Sequence, residues 1–138
     1  MPIPTSRNAR LFYRAAKERF EDAELLLSLN RTTGAVYLAG CSVECIIKSL
    51  ILSAVPPSRE EAILANFRGR LAHDFLWLMR LYQQYGGTAV PSRLRVYWNQ
   101  LSGWSTNMRY SPAKIEQRQA KEFLASATEI IKWADRRL

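Results

Sequence analysis

A glutamate and a lysine four residues apart, Glu44 and Lys48, stand in the most apolar stretch of the chain. On a helix that spacing, with the carboxylate first, puts both groups on one face and allows an ion pair. Two arrangements fit. The pair lies on the one exposed strip of its helix, or it forms a partly buried polar cluster that needs further partners, because charges left unpaired inside a bundle are costly. A cation such as Arg109 would suit Glu44, and paired charges on a central helix can line a ligand cleft.

The other residues with chemical capacity come later. His73 is the single histidine and stands beside Asp74 at an expected helix start. There it either caps the first turn or serves as a proton-transfer or substrate-orienting group. Trp104, Asn107, Arg109 and Tyr110 cluster ahead of the last helix. An arginine fork reads phosphate and aromatic rings stack on bases. A helix N-terminus at Ser111 would add backbone donors for an anion. The plainer alternative is a packed corner, with Trp104 and Tyr110 filling core and Arg109 tying the loop down. Cys41 and Cys45 lie one turn apart, a poor geometry for a disulfide, and read as small core residues.

These groups must be positioned by helices. From Arg7 to Leu29 the residues Phe12, Ala16, Phe20, Ala23 and Leu27 recur at helical steps. Asn30 to Gly34 breaks that helix, and Thr32 or Thr33 is placed to cap the next, Ala35 to Ala54, which is apolar nearly all round. Val55-Pro56-Pro57 stops it. Ser58 and Glu61 fit a capping box for a short helix to about Phe67. After the loop Arg68 to Arg70, His73-Asp74 opens a helix with the stripe Phe75, Leu78, Met79, Tyr82 and Tyr85, ended by Gly86-Gly87. Pro91 precedes Leu94, Tyr97, Trp98 and Leu101 at helical spacing. Ser111-Pro112 reads as the cap of the last helix, whose stripe runs from Ala120 to Ala134. No segment alternates with period two. The expected fold is all-α, an up-and-down bundle of four long helices plus one or two short ones. It forms one domain over residues 1–138, with 1–6 a flexible N-terminus.

Composition narrows the function classes. Two Cys and one His supply neither a disulfide framework nor a zinc site nor a histidine-rich triad. No metal and no cofactor is expected. The formal charge of +8 favours polyanions or an acidic partner. Basic residues concentrate at Arg7, Arg10, Arg14, Lys17 and Arg19, and again at Arg93, Arg95, Arg109, Lys114, Arg118 and Lys121. They form a polyanion patch if they share a face, and otherwise a solvated surface. Met1 to Arg19 lacks an apolar run, so no secretory signal is expected. Gly34 to Val55 has the length of a membrane span, yet Glu44 and Lys48 in its middle argue for a bundle core in a cytoplasmic protein.

The segments Tyr37 to Ile51 (YLAGCSVECIIKSLI), His73 to Phe75 (HDF) and Trp104 to Tyr110 (W-x4-RY) together resemble the HEPN domain family. The first helix, ending Ala16 to Leu26 as Ala-x6-Ala-Glu-Leu-Leu, and the last helix fit as well. The resemblance covers nearly the whole chain. It implies a helical bundle that often dimerises and holds a polar cleft near one end. Many members are metal-independent RNases, frequently toxins or antiviral effectors, with an Arg and, a few residues later, a His near the start of the last helix. Arg109 matches that Arg, but Lys114, Ile115 and Glu116 occupy the positions for the His. RNA cleavage needs a group to take the 2′-hydroxyl proton, and an arginine is a poor base.

The resemblance therefore implies a non-catalytic nucleotide- or RNA-binding or dimerising module. A nucleotidyltransferase or another protein is a possible partner, in a toxin-antitoxin or defence setting. Glu44, Lys48, Arg109 and Tyr110, with Asn107 and His73, would line or brace the cleft, Arg109 meeting phosphate. The rival is an RNase centred on Arg109 with His73 or Lys114 as a displaced proton-transfer group. A third reading is a purely structural interaction module.

Overall fold

The computed structural model describes residue 4 and residues 6–138. The expected flexible segment 1–6 thus lies, at residues 1–3 and 5, outside the described residues. Pro4 is buried, and Ser6 caps the first helix by accepting from the Ala9 amide.

Six α-helices follow, with no strand among the described residues. They are α1 (Arg7–Ser28), α2 (Thr32–Ala54), α3 (Glu60–Asn66), α4 (Phe75–Gln84), α5 (Arg95–Leu101) and α6 (Gln117–Asp135). Four are long and two are short, joined by single 3-10 turns at Pro57–Arg59, Arg70–His73, Ser92–Leu94 and Thr106–Tyr110. The all-α bundle expected from periodicity is the fold observed.

α2 is the central element and packs against α1, α4 and α6. The close fit to α1 follows from sequence. Ala9, Ala16 and Ala23 recur every seventh residue and are fully buried. Side chains this short let two helix backbones approach. The Ser42 hydroxyl on α2 reaches the Ala16 carbonyl at 2.6 Å, and the Ser49 hydroxyl reaches the Ala9 carbonyl at 2.8 Å. Seven residues forward on α2 matches seven back on α1, so the pair is antiparallel and in register. The same alanine spacing recurs on α6 at Ala120, Ala127 and Ala134, all fully buried. α6 packs on α2 and α5. A Lys17–Asp135 ion pair ties α1 to the end of α6.

α2 is long and apolar enough to cross a membrane, with a mean hydropathy of 1.7, yet 78% of that stretch is buried inside the bundle. Its apolar surface is therefore used by its own neighbours.

Three expected caps are corrected. Thr32 and Thr33 do not cap α2. Their hydroxyls donate to the Ile115 and Ala113 carbonyls, and the Ile115 amide donates back to Thr33 Oγ1. Ser111-Pro112 does not start α6, which begins at Gln117. Residues 111–116 instead run without helix as a strap across the start of α2. A hydroxyl satisfying a distant carbonyl has won over one satisfying a nearby amide. Ser58 lies within the 3-10 turn Pro57–Arg59, and α3 has no side-chain cap. By contrast Asp74 does cap α4, its Oδ1 accepting from the Trp77 amide at 3.1 Å.

Candidate functional site

The clearest polar cleft, about 580 Å³, opens between the start of α4, α5 and the turn Thr106–Tyr110. Phe75, Trp98 and Trp104 form its aromatic floor. Its rim carries Arg70, His73, Asp74 and Asn107, with Asn99, Ser102, Ser105 and Thr106 between them.

The floor is rigid because its rings brace each other. Trp104 lies parallel to Phe75, with centroids 5.1 Å apart and planes 6° apart, and stacks on Tyr37 at 6.1 Å. Phe75 meets Trp98 at 6.0 Å. The Trp104 Nε1–H donates to the Tyr37 carbonyl at 3.1 Å. The indole lies directly over Gly40, where a side chain would collide with it. Trp104 also walls a second, more apolar cavity of about 480 Å³ beside Val36, Met108 and Phe123.

Behind the rim runs a chain of three ionisable groups. His73 Nδ1 is 2.8 Å from Glu44 Oε1, and Lys48 Nζ donates to Glu44 Oε2 at 2.7 Å. Glu44 and Lys48 are buried, whereas the His73 side chain is 47% exposed and reaches the cleft. The Lys48 ammonium lies over the Phe12 and Phe67 rings at 5.8 and 5.2 Å. These are cation–π contacts in a low-dielectric setting. Of the two arrangements left open by sequence, the buried cluster is the one formed.

The expected Glu44–Arg109 pairing is corrected. Glu44 is satisfied by Lys48 and His73, which approach from its own helix and from the turn before α4. Arg109 is exposed; its Nε–H donates to the Thr106 carbonyl at 3.1 Å and its guanidinium lies 5.1 Å from the Tyr110 ring. Arg109 thus ties down its own turn. Tyr110 does not fill core but is 75% exposed, while Trp104 is buried. An exposed arginine resting on an exposed ring is a surface able to meet phosphate and base.

The proposed site residues therefore separate. His73 and Asn107 line the cleft, Glu44 and Lys48 brace it from inside, and Arg109 and Tyr110 lie at the far end of the turn carrying Asn107. Lys114 stands on the strap, in a different depression with Arg31. Since α6 starts at Gln117, its N-terminus offers no donors at Ser111. Arg70, Trp98, Asn99, Ser102, Ser105 and Thr106 were not singled out from sequence. The signal available was two tryptophans six apart in a stretch rich in serine and asparagine.

Cys41 and Cys45 are free and half-buried. Burial, with the Glu44 carboxylate adjacent, pushes the Cys45 thiol up to about 12, and burial raises Cys41 too. Both are protonated thiols at neutral pH and poor nucleophiles. The basic run on α1 is partly spent, Lys17 on Asp135 and Arg19 on Asp22. No group of three His, Cys, Asp or Glu converges among the described residues.

A helical bundle with a small, aromatic-floored polar cleft has the concave, mixed lining that small-ligand sites take. The family model for the HEPN domain matches residues 9–137, and the chain belongs to that family. It is thereby a nucleotide- or RNA-related module of the HEPN superfamily, whose domains commonly dimerise. No curated protein and no solved structure matches the chain.

Proposed function

We propose that this protein is a cytoplasmic HEPN module that binds a nucleotide or RNA without catalysis of its own. The observation that carries the reading is the cleft of about 580 Å³ with an aromatic floor and a hydrogen-bonding rim. Its size and mixed lining suit a base with its sugar. Arg109 on Tyr110 supplies the phosphate contact on the adjoining turn.

Catalysis is absent from the proposal because Lys114, Ile115 and Glu116 stand where a proton-transfer histidine would be needed, and they lie on the strap rather than at the cleft. A module of this kind acts through partners. A second copy would cover the exposed leucines Leu11 and Leu25 on α1 and Leu29 just beyond its end. A nucleotidyltransferase in a toxin-antitoxin or defence system would be the functional companion. Light scattering at micromolar concentration is expected to show a dimer, and a monomer there overturns the self-association.

One observation favours a second reading, a metal-independent RNase. His73 hydrogen-bonded to a buried carboxylate has the form of an oriented general base. A single experiment separates the two. Mixed-sequence single-stranded RNA is incubated with the protein in chelator at low salt, and binding and cleavage are read together. Binding without cleavage is expected, weakened about tenfold in Arg109→Ala by loss of one charged hydrogen-bonding group. Cleavage abolished by His73→Ala would replace the proposal with the RNase reading. RNA that neither binds nor breaks would leave only a protein-interaction role.

A further inference from the structure

We propose that the two banks of the polar cleft form a docking surface for a partner protein that presents an acidic amphipathic helix. The reading concerns the surface outside the cleft and does not depend on what the cleft holds.

Charge is spread unevenly along the chain. Between Ala62 and Met108 stand Arg68, Arg70, Arg80, Arg93 and Arg95, with Asp74 the one acid and no lysine. All of these arginines are exposed, and none joins an ion pair among the described residues. Asp74 is taken up as the cap of α4. Acids cluster elsewhere, as at Glu18, Glu21, Asp22 and Glu24 on α1. Arginines two residues apart, as Arg68 and Arg70 or Arg93 and Arg95, repel one another, and no carboxylate of this chain is paired with them.

Apolar side chains stand among these charges, with Leu71, Leu76 and Val96 all exposed. Helical spacing places them. Arg70, Leu76 and Asn99 line the cleft. On α4, Arg80 lies one turn from Leu76 on the same face. On α5, Arg95 and Val96 lie one turn from Asn99 on the same face. Each bank thus pairs an apolar side chain with an arginine, Leu76 with Arg80 on one and Val96 with Arg95 on the other. Arg80, Arg95 and Val96 are outside the cleft lining, so a small ligand seated in the cleft leaves them uncovered.

This mixture selects the partner. A nucleic-acid backbone would use the charges and leave Leu71, Leu76 and Val96 in water. A protein interface uses both, and such interfaces are enriched in arginine and depleted in lysine. The sign of the charge calls for carboxylates on the other side. An amphipathic helix supplies them beside an apolar stripe, the form that a groove between two helices receives.

The test uses a fluorescently labelled synthetic helical peptide with leucines along one face and glutamates flanking them. A peptide of the same composition in scrambled order and a single-stranded DNA serve as comparisons, each titrated with the intact protein. The ordered peptide is expected to bind at least about tenfold tighter than the scrambled one, and Arg80→Glu/Arg95→Glu should remove that advantage. Leu71→Ser/Val96→Ser keeps every charge and alters only exposed side chains. It should weaken the ordered peptide about tenfold and leave DNA binding unchanged. Equal binding of the two peptides, or no binding of the ordered one, overturns the proposal. So does a Leu71→Ser/Val96→Ser variant that holds the ordered peptide as the native protein does, since the surface is then a plain polyanion patch. Loss of self-association in that same variant, read by light scattering, would assign the face to a second copy and overturn the partner reading.

Discussion

Lys48→Met lowers the free energy of unfolding by about 3–5 kcal/mol, the cost of leaving one member of a buried ion pair behind. Met fills the methylene space of Lys48 between Phe12 and Phe67, so lost packing is a small part of the effect. The main cost is the Glu44 carboxylate, buried and left with His73 alone. A domain of this size has about 5–15 kcal/mol in hand, so the variant sits near the threshold of folding. The double variant Glu44→Gln/Lys48→Met removes both charges and is expected to recover most of the loss, as apolar or neutral replacements of buried pairs often do. Urea denaturation of the two single variants and the double closes the cycle. If Lys48→Met costs under about 1 kcal/mol, the pair behaves as a surface contact and the bracing of His73 loses its basis.

Gly40→Ala is the second large effect, and here two terms oppose. Alanine is the better helix former by about 1 kcal/mol. Against this, the added carbon would fall 1.9 Å from Trp104 Nε1. The indole has nowhere to retreat, being stacked on Phe75 and Tyr37 and hydrogen-bonded to the Tyr37 carbonyl. Overpacking of this kind costs about 1–3 kcal/mol or more, so sterics win and a net loss of about 2 kcal/mol is expected. Because the displaced ring is the cleft floor, RNA binding should fall together with stability. A smaller ring should relieve the clash, so Gly40→Ala in a Trp104→Phe background should cost much less than in the native chain. Equal costs in both backgrounds, measured by thermal or urea denaturation, would remove Trp104 as the reason for the glycine.

Both predictions concern residues whose role the sequence displays unevenly. The helices were legible because their buried residues obey a period. Ala16 and Ala23 on α1, and Phe75, Leu78, Met79 and Tyr82 on α4, are the expected stripes and are buried. The Glu44–Lys48 pair was legible from its spacing, but its third partner was not. Nothing in the interval between residues 44 and 73 says that the turn Arg70–His73 folds back onto α2. Gly40 was silent as well, since a glycine inside an apolar helix carries no mark of the tryptophan that will lie over it. The starts of α2 and α6 misled for one shared reason. Thr32, Thr33 and Ser111 are residue types that cap helices, yet the two threonines spend their hydroxyls on carbonyls about eighty residues away. Local preference yields wherever a distant backbone group is otherwise left without a donor.

Every residue lining the polar cleft falls between Arg70 and Asn107, while the buried alanine rows of α1 and α6 lie outside that interval. The cleft lining and these alanine rows are thus written in different parts of the chain. A descendant could exchange Trp98, Asn99, Ser102 or Asn107 and acquire a new preference without disturbing Ala9, Ala16, Ala127 or Ala134. The converse route is closed, since enlarging any of those alanines forces helices apart before a new ligand could be selected. The cleft lining is free to drift, and the frame that carries it is not.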